Sequence, residues 1–179
     1  MENFLIFYFH GYNSSPNSDK VEKIRSVFEN TYAFSIDPDP TVSIPNLIKQ
    51  IECVLLDDKF MNKDDLNIVF IGTSLGAWYA STLGHMFNVK SILINPCYDP
   101  TKTLKLLGGI PDDVCEKYTT LAFGDRSKVY ISTNDEVIDY TSIQNTLETL
   151  DVTYVKNSNH RFNGPEFDDV LLDIMKYRS

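Results

Sequence analysis

The sequence predicts an α/β fold built on a mostly parallel central sheet of about six strands with helices on both faces. Six short runs rich in β-branched and aromatic residues recur along the chain, with segments of helical spacing between most of them. Several runs are apolar almost throughout, which suits strands covered on both faces, whereas a one-sided sheet would alternate. The β-α-β-α order is the pattern of an open sheet with helices packed on either side. A chain of 179 residues is close to one ordinary domain, and no repeat, low-complexity tract or linker divides it, so residues 1–179 read as a single unit.

Taken in order, the strand runs are 4–9, 32–36, 66–71, 91–95, 129–132 and 152–155, and the helical segments are 18–29, 44–56, 75–87, 140–150 and 165–177. The stretch 100–126 breaks the alternation. It carries the turn Gly108-Gly109-Ile110-Pro111 and two short helical patterns, and reads as a lid-like insertion over the sheet. In open α/β sheets ligands bind beyond the carboxyl ends of the strands, so candidate chemistry belongs just after each run.

Composition narrows the classes. Hydrophobic residues make up 42% and charged residues 23%, as in ordinary globular chains, and no apolar run is long enough to span a bilayer. The early run 4–9 lacks a basic lead-in and is too short for a signal segment. Cys53, Cys97 and Cys115 have no metal-binding spacing and cannot all pair, which fits a reducing compartment and hence the cytoplasm. A formal net charge of −9 with no basic cluster argues against nucleic acid as a partner.

Directly after the run 66–71 comes Gly72-Thr73-Ser74-Leu75-Gly76, followed by the helical Ala77-Trp78-Tyr79-Ala80. A serine on a sharp strand-to-helix turn is an exposed nucleophile, and Gly72 and Gly76 relieve the crowding where strand and helix converge. The competing reading makes Ser74 a simple helix cap. At a helix start the Leu75 N–H would also point toward an oxyanion.

A serine nucleophile needs a base, and histidine is the usual one because its ordinary pKa is near neutrality. Of three histidines, His85 falls late in the helix after Ser74 and reads as a surface or packing residue, while His10 ends the first strand. His160 lies in a polar loop after the last strand run, downstream of every candidate acid, in the Ser, acid, His order of this fold class. Among the acids past residue 132, Asp135 is nearest the strand end, Asp139 reads as a helix cap and Glu136 as a solvated side chain. Asp99, after the run 91–95, is the alternative acid. Asp37 and Asp39, flanking Pro38 and Pro40, read as a turn.

The loop His10-Gly11-Tyr12-Asn13-Ser14-Ser15-Pro16 completes a set of motifs with Gly72 to Gly76, Asn95-Pro96, Asp135-Glu136-Val137 and Asn159-His160-Arg161-Phe162. In this order and over nearly the full length, the chain resembles the small YqiA-like esterases of the α/β-hydrolase superfamily. The resemblance implies a minimal α/β-hydrolase fold and a triad of Ser74, Asp135 and His160. It also implies an oxyanion hole made by the backbone N–H groups of Tyr12 and Leu75. Thr73 stands where a serine is common, and 101–126 follows no family pattern.

The expected activity is hydrolysis of a small-molecule carboxylic ester or thioester, without cofactor, metal, nucleic acid or membrane. Trp78, Tyr79, Tyr98, Tyr118 and Phe123 are candidates to line an acyl pocket or to serve as ordinary packing. A binding module that kept the fold is the competing class. Chemistry at Cys97 is a further alternative, although no base is placed for it.

Overall fold

In the computed structural model, which describes residues 3–61 and 65–176, six strands form one sheet in the order β2-β1-β3-β4-β5-β6. They are β1 (Phe4–Phe9), β2 (Thr31–Ala33), β3 (Asn67–Thr73), β4 (Lys90–Ile94), β5 (Ser127–Ser132) and β6 (Asp151–Val155). All five pairings are parallel; β1 and β3, for example, run in register from Phe4 beside Asn67 to Phe9 beside Gly72.

The helices are α1 (Asp19–Val27), α2 (Pro40–Leu55), α3 (Asp58–Met61), α4 (Leu75–Phe87), α5 (Pro100–Leu107), α6 (Asp112–Cys115), α7 (Gln144–Leu147) and α8 (Glu166–Lys176). Alternate residues of β1 show how they are distributed. Leu5, Phe7 and Phe9 face a core shared with α2 and α4, whereas Phe4, Ile6 and Tyr8 face one shared with α1 and α8. A strand buried on both faces gains nothing from polar alternation, and β1 has no exposed residue.

Several boundaries differ from the sequence reading. Helix α2 begins four residues before the expected Ile44, because Asp39 accepts the Thr41 N–H (2.9 Å) and Pro40 stands at the first helical position. The Asp-Pro-Asp-Pro turn is therefore partly a helix start. Strand β2 keeps only the residues that pair with Ile6, Phe7 and Tyr8. The helix expected over 140–150 reduces to a 3-10 turn at Thr141–Ile143 and the short α7. Its asparagine and threonines favour local side-chain bonds, such as Thr149 Oγ to Thr146 O (2.7 Å), over helix continuation. The last expected helix is observed as α8, and its expected final residue Tyr177 lies outside the described residues.

The segment 100–126 carries α5 and α6 and is fastened along α4 and to the turn before α2. Trp78 Nε1–H donates to Thr119 O (2.8 Å), Ser81 Oγ to Ala122 O (2.6 Å) and Tyr118 OH to Pro38 O (2.8 Å). Among the described residues no helix is long and apolar enough to cross a membrane.

Phe70 sits at the centre of the α2 and α4 core, fully buried, with its ring packed edgewise against Phe7, Phe9 and Phe87. Phe70→Ala should lower the unfolding free energy by about 3–5 kcal/mol in urea titration. Leu106→Ala, at a position 79% exposed, should change it by no more than about 0.5 kcal/mol.

Candidate active site

The main chain between β3 and α4 sets the site. Ser74 adopts φ 54° and ψ −121°, a conformation that side chains seldom occupy. Its N–H donates to Ile94 O (2.9 Å), and its carbonyl accepts from Ala77 N (3.0 Å) and Cys97 N (3.1 Å). The side chain makes no capping bond, so the helix-cap reading of Ser74 does not hold. Both flanking glycines are demanded by distance. A Cβ on Gly72 would lie 2.2 Å from Gly76 O, and one on Gly76 would lie 2.0 Å from Phe9 O.

Ser74 Oγ is 2.9 Å from His160 Nε2, and His160 Nδ1 is 2.9 Å from both carboxylate oxygens of Asp135. A carboxylate can only accept, so Nδ1 carries the proton and Nε2 is left to accept from the serine hydroxyl. The Asp135 side chain is almost fully buried, and its Oδ1 also accepts from Val137 N (2.8 Å) and Ile138 N (2.9 Å). The Tyr140 hydroxyl near this carboxylate donates to Pro96 O (3.3 Å). Burial first, then the Asp135 charge, keeps its phenol well above the ordinary value and protonated.

The other candidates fall elsewhere. Asp99 caps α5 by accepting the Lys102 N–H (3.0 Å), and Asp139 accepts from Thr141 N (3.0 Å) and Thr141 Oγ1 (2.7 Å) at the 3-10 turn. His85 is exposed near the end of α4 with Nδ1 on Ser81 O (3.2 Å). His10 is buried, its Nδ1–H donates to Gly11 O (3.0 Å), and burial lowers its pKa, so it ties the loop as a neutral ring.

Gly11 lies against the nucleophile, since a Cβ there would sit 3.3 Å from Ser74 Cβ. The next residue, Tyr12, donates its hydroxyl to Gly108 O in the segment 100–126 (3.0 Å). Tyr12 and Leu75, with Gly11, Ile36, Asp37 and Pro38, line a cavity of about 250 Å³ beside Ser74. Of the aromatic pocket candidates, Trp78, Tyr79 and Tyr118 are buried as a mutually packed cluster in the α4 core. Tyr98 bonds Asp139 O (3.0 Å) and Ser142 Oγ (2.8 Å), and Phe123 packs against the core.

Three residues around His160 were missed in the sequence. Asn95, fully buried after β4, directs Nδ2 to Ser132 Oγ (2.9 Å), Asn159 O (3.1 Å) and His160 O (3.0 Å), and accepts the Ser132 N–H at Oδ1 (2.7 Å). Ser132 Oγ donates to Asn159 O (2.8 Å). Glu136 is exposed, as read, and in addition accepts the His160 N–H at Oε2 (3.0 Å). A polar residue closing an apolar strand, as Asn95 does, was the available signal; Glu136 left none beyond its adjacency to Asp135. Among the described residues no cluster of ligand side chains could hold a metal ion.

Cys97 is buried beside this site. Desolvation, opposed by a Thr103 hydrogen bond and aided by the charges of Asp99 and Asp135, pushes its thiol up to about 12. The thiolate needed for nucleophilic chemistry is thus suppressed. Iodoacetamide near pH 8 should modify exposed Cys53 in the native protein, and should reach Cys97 and Cys115, both buried, only after denaturation; peptide mass mapping reads the difference.

The family model described as Uncharacterised protein family (UPF0227) matches residues 5–120, which include the Ser74 turn and stop short of Asp135 and His160. A UPF0227 protein of Pectobacterium atrosepticum is 24% identical over 170 residues, covering 89% of this chain and 92% of the relative. Among solved structures, the Pyrococcus furiosus esterase superposes with a TM-score of 0.72 at 14% identity, over 99% of this chain and 83% of that one. An alpha-beta serine hydrolase homologue from Coxiella burnetii gives a TM-score of 0.61 at 13% identity, over 98% and 85%. At such identities the likeness is one of fold, and the fold is that of the α/β hydrolases.

Proposed function

The chain belongs to the UPF0227 family, and we propose that it is a serine hydrolase cleaving a carboxylic ester or thioester through an acyl-enzyme, with Ser74 as nucleophile, His160 as base and Asp135 as the orienting acid. The observation that carries this reading is the unbroken hydrogen-bonded line from Asp135 through His160 to Ser74, ending on a serine held in a strained turn.

The reaction proceeds as follows. His160 Nε2 takes the Ser74 hydroxyl proton as Oγ attacks the acyl carbon, and the carbonyl electron pair moves onto oxygen. The backbone N–H groups of Tyr12 and Leu75 receive that oxyanion. The first N–H groups of a helix have no partner within it, and Leu75 opens α4. As the intermediate collapses, the imidazolium returns the proton to the departing alcohol or thiol, leaving Ser74 acylated. Water repeats the sequence, with His160 taking its proton, and releases the carboxylic acid. Asp135 holds the tautomer and stabilises the imidazolium at both stages without itself changing protonation.

The substrate is a small acyl ester rather than a polyanion, in keeping with the net charge of −9 and the small cavity next to Leu75. No metal or cofactor enters these steps. Three free cysteines support a reducing, cytoplasmic setting.

A fluorophosphonate probe should modify Ser74, as mapped by peptide mass spectrometry, and Ser74→Ala should abolish labelling and turnover of short p-nitrophenyl esters. Labelling at another serine, or none in folded protein, would return the chain to the binding-module reading. Asp135→Asn should lower kcat by about 10⁴ by presenting the wrong imidazole tautomer. Asp99→Asn and Asp139→Asn, whose side chains cap other turns, should keep most of it, and EDTA should leave turnover unchanged.

A further inference from the structure

Resting on the reading of Ser74 and His160 as nucleophile and base, we propose that Glu136 is a positioning residue for the base. It grips the His160 peptide at its N–H while Asn95 grips the same residue at its carbonyl.

The need for such a clamp follows from the loop that carries His160. After β6 the chain turns through Asn157 (φ 61°) and Phe162 (φ 49°), both left-handed and neither glycine, so the path is conformationally costly and must be held from outside. Holding contacts come from several elements. Phe162 is fully buried in the α1 and α8 core, Lys20 of α1 donates to Arg161 O (2.5 Å), and Ser158 bonds Glu166 of α8 (2.8 Å). These contacts fix the flanks of the loop. Among the described residues only Glu136 and Asn95 hydrogen-bond the His160 main chain itself, and they do so from opposite sides of one residue.

The ring has little tolerance, because it must stay 2.9 Å from Ser74 Oγ and 2.9 Å from Asp135 at once. A displacement of about 1 Å can lower a rate about a hundredfold. Glu136 follows Asp135 directly, so one turn after β5 supplies both the acceptor for the imidazole and the acceptor for the backbone that carries it. The ring and its main chain are thereby referenced to the same two residues, and a shift of the β5 loop carries both together. The His160 N–H bond also holds the Glu136 carboxyl below its ordinary value, so it remains an anionic acceptor in weak acid.

Glu136 is exposed, so its removal tests position without opening the core. Glu136→Ala should lower kcat for a short p-nitrophenyl ester by about tenfold to a hundredfold, leave KM within about twofold and leave the thermal midpoint unchanged. Glu136→Gln keeps a side-chain carbonyl to accept the His160 N–H and should restore most of kcat. Independently of turnover, the low-field proton NMR signal of His160 Nδ1–H should persist in wild type and Glu136→Gln and broaden in Glu136→Ala.

Unchanged kcat and an unchanged Nδ1–H signal in Glu136→Ala would overturn the assignment. So would Glu136→Gln proving as impaired as Glu136→Ala, since charge and not the backbone bond would then be at work. Absence of Ser74-dependent turnover in wild type, with the Nδ1–H signal still sensitive to Glu136, would instead overturn the hydrolase reading and leave the positioning role standing.

Discussion

The approach of α4 to β1 and β3 is the constraint from which the rest of the site follows. Gly76 passes so close to Phe9 that a single Cβ would overlap its carbonyl, and Gly72 passes equally close to Gly76. Those contacts force the main chain to reverse within one residue, and that residue is Ser74. A gentler turn would lay the serine along the helix as an ordinary cap. With the reversal, its hydroxyl stands above the sheet and its carbonyl is occupied by Ala77 and Cys97. The bonds to Ile94, Ala77 and Cys97 hold the strained conformation in place.

Every other group at the site is delivered by a strand ending at the same edge of the sheet. The loop after β1 brings Gly11 against Ser74, the residue after β4 is Asn95, the loop after β5 supplies Asp135 and Glu136, and the loop after β6 supplies His160. Parallel strands make this convergence automatic, because their carboxyl ends all face one way. The buried Asn95 then acts as the joint between three of these loops, since its amide reaches Ser132, Asn159 and His160 together. A buried amide with every polar atom engaged fixes geometry more narrowly than apolar contact would, because each misplacement leaves a donor or acceptor stranded.

The segment 100–126, between β4 and β5, is fastened to the same framework. Its hydrogen bonds to Trp78 and Ser81 and the packed trio of Trp78, Tyr79 and Tyr118 join it to α4. Through Tyr12 and Gly108 it also touches the loop beside Ser74. The aromatic residues of this region are therefore spent largely on attachment, and the space next to Leu75 is bounded by the loops after β1 and β2.

Much of the fold was legible in the sequence because apolar runs buried on two faces and helices amphipathic over several turns leave periodic marks. Strand β1 and helix α4 were read to the residue, and the glycines around Ser74 announced a close approach by their lack of side chains. Where a boundary depended on a side-chain bond, as at Asp39 before α2 or the threonines after Tyr140, periodicity carried no record of it. The site divided in the same way. Ser74, Asp135 and His160 stood out as candidates from chain order and strand ends, whereas the tertiary structure alone decided that their side chains meet, that Asp99 caps a helix, that Asn95 joins three loops and that Glu136 holds a backbone N–H. A hydrogen bond between residues 24 or 65 positions apart has no period and no spacing, and it exists only once the strands have brought their ends together.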